Sequence, residues 1–174
     1  EQKDSKGQMD IYSFDMPGDV RPAYTSYIKG IVYESGNREP VQANIQVYDL
    51  ETGKLYATFS TDKVNGNFLS SLPAGKNYAV EVQKDGYLFW SHNVSLKDVK
   101  EGTPVEVNIP LSRIKVGETI VLNNIFYESD KYDLKDESNV EREVVVKMLE
   151  KNPSLKVEIG GHTDNTGSEE KNRM

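Results

Sequence analysis

Apolar and polar side chains alternate along most of the first two thirds of the chain, and the period lengthens near position 140. Tyr27 to Tyr33 opens the alternation, then Ala43 to Leu50 with Ile45 and Val47 on one face, then Leu55 to Ser60. Glu51-Thr52-Gly53 supplies turn chemistry between the last two. Asn65-Gly66-Asn67 begins another turn before Phe68 and Leu69, and Pro73-Ala74-Gly75 leads into Tyr78, Val80 and Val82. Asp85-Gly86 precedes Tyr87, and Val105, Val107, Ile109 and Leu111 alternate as a final strand. A period of two is that of a half-buried strand. About seven short strands with Gly, Pro and Asn between them predict a small antiparallel β-sandwich over residues 27–112.

A different pattern follows. Thr119 to Tyr127 reads as a strand interrupted by Asn123-Asn124, and Glu128 to Asp133 as a charged turn. Val140, Val144, Val145, Met148 and Leu149 recur at three-to-four spacing, which puts them on one face of a helix. Asp136 or Ser138 is placed to cap it, and Ser138-Asn139-Val140-Glu141 has the capping-box form in which Ser and Glu side chains satisfy free backbone amides. Asn152-Pro153 stops the helix, because a residue before proline avoids helical angles. Leu155, Val157 and Ile159 then alternate as a strand. Strand, helix and strand of this length predict a right-handed βαβ unit.

The first 26 residues read as an arm, with a short strand at Asp10 to Pro17 and a connector from Gly18 to Ser26. Three segments result: 1–26, 27–112 and 113–174. Hydrophobic residues make up 36% of the chain, which fits small domains with polar connectors. A net charge of -7 and the lack of a Lys/Arg cluster argue against nucleic acid as a partner. The chain has no apolar run long enough for a membrane span, and Glu1-Gln2-Lys3-Asp4 carries no signal-peptide core, so a soluble piece of a longer protein is expected. The absence of cysteine excludes disulfides and thiolate metal sites.

The candidate chemistry lies in the run Ile159-Gly160-Gly161-His162-Thr163-Asp164-Asn165-Thr166-Gly167. Its glycines permit a tight irregular turn, and short polar side chains surround Asp164. Such a loop is either a small-ligand site or a polar turn in which Asp164 bonds its own backbone. Elsewhere, Ser91-His92 fails as a catalytic pair, because adjacent strand residues point to opposite faces, and His92 reads as a half-exposed strand residue. Tyr87, Phe89 and Trp90 form either a stacking surface for a sugar or peptide or a satellite of the core.

Gly30-x-Val32, Pro40-Val41 followed by Ile45-x-Val47, Thr52-Gly53, Gly66-x-Phe68, Gly75-x-x-Tyr78 and Gly86-Tyr87 together resemble the carboxypeptidase regulatory-like, transthyretin-like β-sandwich. That resemblance implies a spacer or docking module and no catalysis. The segment Asn124 to Leu134, the helix closed by Lys151-Asn152-Pro153, and Val157-Glu158-Ile159 followed by the GHTD-N-x-G loop resemble the first half of the OmpA C-terminal-like domain. Asp10-Ile11-Tyr12 with Phe14 resembles the closing strand of the last blade of bacterial β-propellers. The fold class expected is therefore mainly β with a small α/β part: an antiparallel β-sandwich followed by the first βαβ portion of an OmpA-like domain.

The OmpA-like resemblance implies peptidoglycan binding, through the diaminopimelate side chain of the stem peptide. Asp164 would accept from its ammonium in a charge-assisted bond, with Thr166 and Asn172 in neighbouring hydrogen-bonding positions and Asp130 bordering the pocket. His162, Thr163, Gly160, Gly161 and Gly167 would support the loop. The family pairs the aspartate with an arginine expected beyond Met174. The implied setting is the periplasm of a Gram-negative bacterium, at the outer membrane and cell wall, with envelope proteins as further partners and no cofactor. Two strands and one helix leave an edge open, so residues 116–174 are expected to be poorly ordered or to lean on the sandwich or on another chain. Two rival readings stand beside wall binding. One is a structural module of an envelope machine in which the sandwich docks a protein; the other is a metal-dependent hydrolase using His162, Asp164 and Asp130 as ligands.

Overall fold

Ten residues of alternating burial, Thr25–Glu34, form the longest strand, β1, with Ile28 and Val32 directed into the core. The structure is a computed structural model and describes residues 14–17, 20, 24–100, 102–128 and 131–161. Seven further strands follow: β2 (Asn44–Asp49), β3 (Lys54–Ser60), β4 (Asn67–Pro73), β5 (Asn77–Gln83), β6 (Trp90–Ser95), β7 (Pro104–Glu106) and β8 (Ile109–Leu111). They make two four-stranded sheets. One has β4 and β7 on either side of β1, with β8 also paired to β1; the other has the order β3-β2-β5-β6.

Most ladders are antiparallel, as expected: β1 with β4, β2 with β3 and β5, and β5 with β6. The last strand departs from expectation in two ways. It is broken into β7 and β8, and both pieces run parallel to β1. The break falls at Val107 and Asn108, where the backbone crosses Gly30: the Val107 amide donates to the Lys29 carbonyl at 2.9 Å, and its carbonyl fills the space where a Gly30 side chain would stand.

The inner faces carry the core. Ile28, Val32, Leu72, Ile109 and Leu111 of the first sheet meet Ile45, Val47, Tyr78, Val80 and Val82 of the second, and Leu96 closes one end. Each such side chain contributes about 1.5–3 kcal/mol on burial. Gly53, Gly66, Gly75 and Gly86 sit at the expected turns with φ of 65–83°. Gly66 is further constrained, because a Cβ there would meet the Val32 carbonyl at 2.4 Å.

Beyond the sandwich, one turn of 3-10 helix at Asp136–Ser138 leads into the helix α1 (Asn139–Lys151). It ends at Asn152 as expected, and the Asn152 amide bonds the Leu149 and Met148 carbonyls. The described chain is thus mainly β with one C-terminal helix. The two strands expected beside that helix are corrected: residues 119–127 and 155–159 form no ladder. Their apolar alternation has no neighbouring strand to pair with, and Val157 and Ile159 are 50% and 76% exposed. The capping box is corrected too. Ser138 makes no cap bond; its hydroxyl instead accepts from the Phe126 amide at 2.8 Å and donates to the Phe126 carbonyl at 3.1 Å.

The helix leans on the sandwich, one of the outcomes expected for residues 116–174. Val140 packs against Leu50 and Ala79, with Tyr48 and Phe126 at the margin. Val140 and Val144 are buried and Val145, Met148 and Leu149 half-buried, so the predicted apolar face is the docked one. Of the expected N-terminal strand, residues 14–17 carry no regular structure, and Asp10 to Ser13 lie outside the described residues.

Candidate functional site

Asp164, Thr166, Asn172, His162, Thr163, Gly167 and Asp130 lie outside the described residues. Gly160 and Gly161 are described and exposed, and a side chain on Gly161 would meet nothing within 4 Å. The segment that carries them leaves α1 at Asn152, turns through the Leu155 amide bonded to the Asn152 carbonyl at 2.9 Å, and runs out without a ladder. The glycine approach to the GHTD loop is therefore open on all described sides. No group of three or more His, Cys, Asp or Glu among the described residues is arranged to hold a metal ion.

Ser91 and His92 face opposite ways, as the period of β6 requires. Ser91 is buried against α1, whereas His92 is exposed and tilted against Trp90, ring centroids 5.5 Å apart. The aromatic set divides likewise. Phe89 is buried, and Tyr87 packs on the main core while its hydroxyl donates to Glu34 at 2.9 Å. Arg113 lies 5.0 Å over the Tyr87 ring and grips Glu34 with two bonds of 2.7 and 2.8 Å. Arg113 and Tyr87 together hold the Glu34 carboxyl below its ordinary value. This arrangement ties the chain after β8 back to β1, which favours the core reading of Tyr87 over a stacking surface. Beside it, Phe89, Trp90, Thr119, Ile120 and Asn123 line a cleft of about 180 Å³.

The densest polar chemistry among the described residues is under α1, and the sequence patterns did not single it out. Ser91 donates to the Glu141 carboxylate, and the Asn124 side-chain amide donates to the Ser91 hydroxyl at 2.5 Å and to Glu141 at 2.9 Å. Glu81 of β5 stands beside Ser91 in the ladder register. Glu81, Glu141 and Asn124 are all 0% exposed. Both Glu81 oxygens, Oε1 of Glu141 and Oδ1 of Asn124 lack a hydrogen-bond partner. Burial first, then the negative charge of Glu141, pushes the Glu81 carboxyl up to about 8; Glu143 adds to the effect and Lys147 opposes it. The only sequence signals were charges inside apolar runs: Glu81 between Val80 and Val82, and Glu141 beside Val140.

No family model matches the chain, and no curated protein is similar to it in sequence. Solved structures align with about half of the chain at low similarity. The TIE protein of Bacillus anthracis aligns with a TM-score of 0.44 and 17% identity, over 52% of this chain and 18% of its own. A Bacteroides fragilis protein of unknown function, described as membrane-associated, gives 0.40 and 21%, over 55% of this chain and 31% of its own. The 3-chlorocatechol 1,2-dioxygenase of Rhodococcus opacus gives 0.43 and 13%, over 55% and 62%. The chain thus spans less than two thirds of each of these neighbours. At these scores the likeness carries no argument about fold or activity.

Proposed function

We propose that the chain is a non-catalytic binding module that attaches an outer-membrane-associated protein or complex to peptidoglycan in the periplasm. The observation that carries this reading is the GHTD-N-x-G run from Gly161 to Gly167, set after an amphipathic helix and entered through the exposed Gly160 and Gly161. Asp164 accepts from the free ammonium of diaminopimelate, and Thr166, Asn172 and Asp130 complete the hydrogen bonding around it. A carboxylate opposite an ammonium is suited to a zwitterionic side-chain end, and such a bond contributes about 1.5–3 kcal/mol. The open approach at Gly160 and Gly161 supports access by a polymer as large as the cell wall.

Sacculus sedimentation tests it with three proteins: this chain, a version extended past Met174 to include the expected arginine, and the extended Asp164→Ala variant. The extended chain is expected to sediment with peptidoglycan and the variant to remain in solution. Equal sedimentation of the two would remove Asp164 from the site.

A second reading, a module whose sandwich docks an envelope protein, is favoured by one observation. The edge strand β3 exposes Leu55 and Tyr56, each 49% accessible, beside an unpaired ladder edge. A sandwich-only protein that captures a partner while the extended Asp164→Ala chain also captures it would favour this reading.

A further inference from the structure

Two carboxyl groups stand in one buried volume between β5 and α1. Val140 seats the helix on Ala79, which brings Glu141 over the strip of sheet where Glu81 and Ser91 are ladder partners. Glu141 has two donors, the Ser91 hydroxyl and the Asn124 amide, but only for its Oε2. Its Oε1 and both oxygens of Glu81 face no donor. Among the described residues here there are four unpartnered acceptors, including Asn124 Oδ1, and no unpartnered buried donor side chain, so a hydrogen on Glu81 would supply a donor the group lacks. A charge on Glu81 is disfavoured there by burial and by the negative charge of Glu141.

We propose that Glu81 and Glu141 form a proton-dependent latch: while Glu81 carries a proton, α1 stays docked on the sandwich, and when that proton is lost the helix leaves. The groups facing Glu81 are set accordingly. From α1 come Glu141 and Glu143, which favour the protonated form, and Lys147, which opposes it. From β2 come the Tyr48 hydroxyl, itself raised by burial, and the uncharged Gln46 across the ladder. From β6 and the segment before α1 come Ser91 and Asn124, both uncharged. No cation among them is close enough to replace the hydrogen by a direct ion pair, because neither Glu81 oxygen has a partner.

The sign follows from where Glu81 titrates. Its value is about 8 in the docked state against an ordinary 4.5, so the docked state holds the proton more tightly than the undocked one. Docking is therefore strongest below pH 4.5, weakens as pH rises from there towards about 8, and changes little above it. Release would free the apolar stripe of Val140 and Val144.

Amide exchange of the whole chain, corrected for the intrinsic pH dependence of exchange, reads the latch directly. Protection of Asn139–Lys151 is expected to fall by roughly tenfold or more between pH 6 and pH 9, while β2 and β5 keep theirs. Glu81→Gln is expected to remove that fall, since it is neutral at every pH. Strand protection reports folding in each variant, and where Glu81→Gln does not fold, Glu81→Met carries the comparison. Helix protection that is independent of pH, or an unchanged fall in the neutral variant, overturns the latch. So does restoration of protection at pH 9 by millimolar calcium, which would put a cation where the proton is assigned.

Discussion

Ser91 donates its hydroxyl hydrogen to the carboxylate of Glu141, a bond that joins β6 to α1 across 50 positions of sequence. Asn124 closes the triangle from the segment between them. These bonds do for α1 what a neighbouring strand would have done in a βαβ unit: they hold an otherwise marginal helix against a sheet. A 13-residue helix gains little from its own propensity, so its docking contacts decide whether it persists.

Ser91→Ala should therefore loosen the helix without unfolding the sandwich. Glu141 loses one of its donors while remaining buried, which costs about 1–3 kcal/mol. Exchange in Asn139–Lys151 is expected to accelerate while β1 and β2 are unaffected. Uniform acceleration in helix and strands alike would show that docking and sandwich unfold as one unit.

Gly30→Ala tests the parallel join of the two halves of the last strand. An added Cβ would lie 1.9 Å from the Val107 carbonyl oxygen and 2.7 Å from its carbon, both backbone atoms that cannot rotate away. The chain at Val107 must shift, with loss of its 2.9 Å bond to Lys29. Urea unfolding should show a destabilisation near the upper end of the 1–3 kcal/mol typical of overpacking. An unchanged midpoint would mean that β7 and β8 do not press on β1 at this point.

Thr61→Val isolates a hydrogen-bond bridge within the fold. Thr61, 3% exposed, donates to the Val41 carbonyl at 2.9 Å and accepts from the Ala43 amide at 3.0 Å. Valine keeps the shape and leaves both backbone groups unpaired, a loss of about 1–3 kcal/mol by thermal or urea denaturation. Thr61→Ser, which keeps the hydroxyl, is expected to recover most of it.

The sandwich was legible because its signals are local. Ile45 and Val47, or Tyr78, Val80 and Val82, alternate with polar or outward neighbours, and Gly53, Gly66, Gly75 and Gly86 mark turns that need positive φ. What pairs with β1 is not local, so nothing around Val105 to Leu111 tells parallel from antiparallel. The same gap explains Thr119 to Tyr127 and Leu155 to Ile159, whose residues suit a strand but form no ladder, only a single bridge from Tyr127 to Leu134. Phe126 shows the substitution directly: the Ser138 hydroxyl takes up its amide and carbonyl in place of a ladder. Of the candidate site, Gly160 and Gly161 could be followed into the structure, and the Glu81 and Glu141 pair could not be foreseen, since burial of a lone charge depends on which element docks over it.

Asp49 offers a pH test with the opposite sign to that of Glu81. Burial works to raise its carboxyl, but the Lys76 ammonium at 2.5 Å and the Glu51 and Thr52 amides outweigh burial and hold it below its ordinary 3.8. Because the folded value is the lower one, the carboxylate's contribution is complete above pH 3.8 and is lost as pH falls through the folded value. Asp49→Asn should then cost about 1.5–3 kcal/mol at neutral pH, towards the lower end because Lys76 is partly exposed and screened. The difference between Asp49→Asn and the parent should shrink as pH is lowered past 3.8, measured by urea midpoints at each pH. A difference that stays constant with pH would assign the role of Asp49 to the neutral geometry of the turn at Gly53 rather than to its charge.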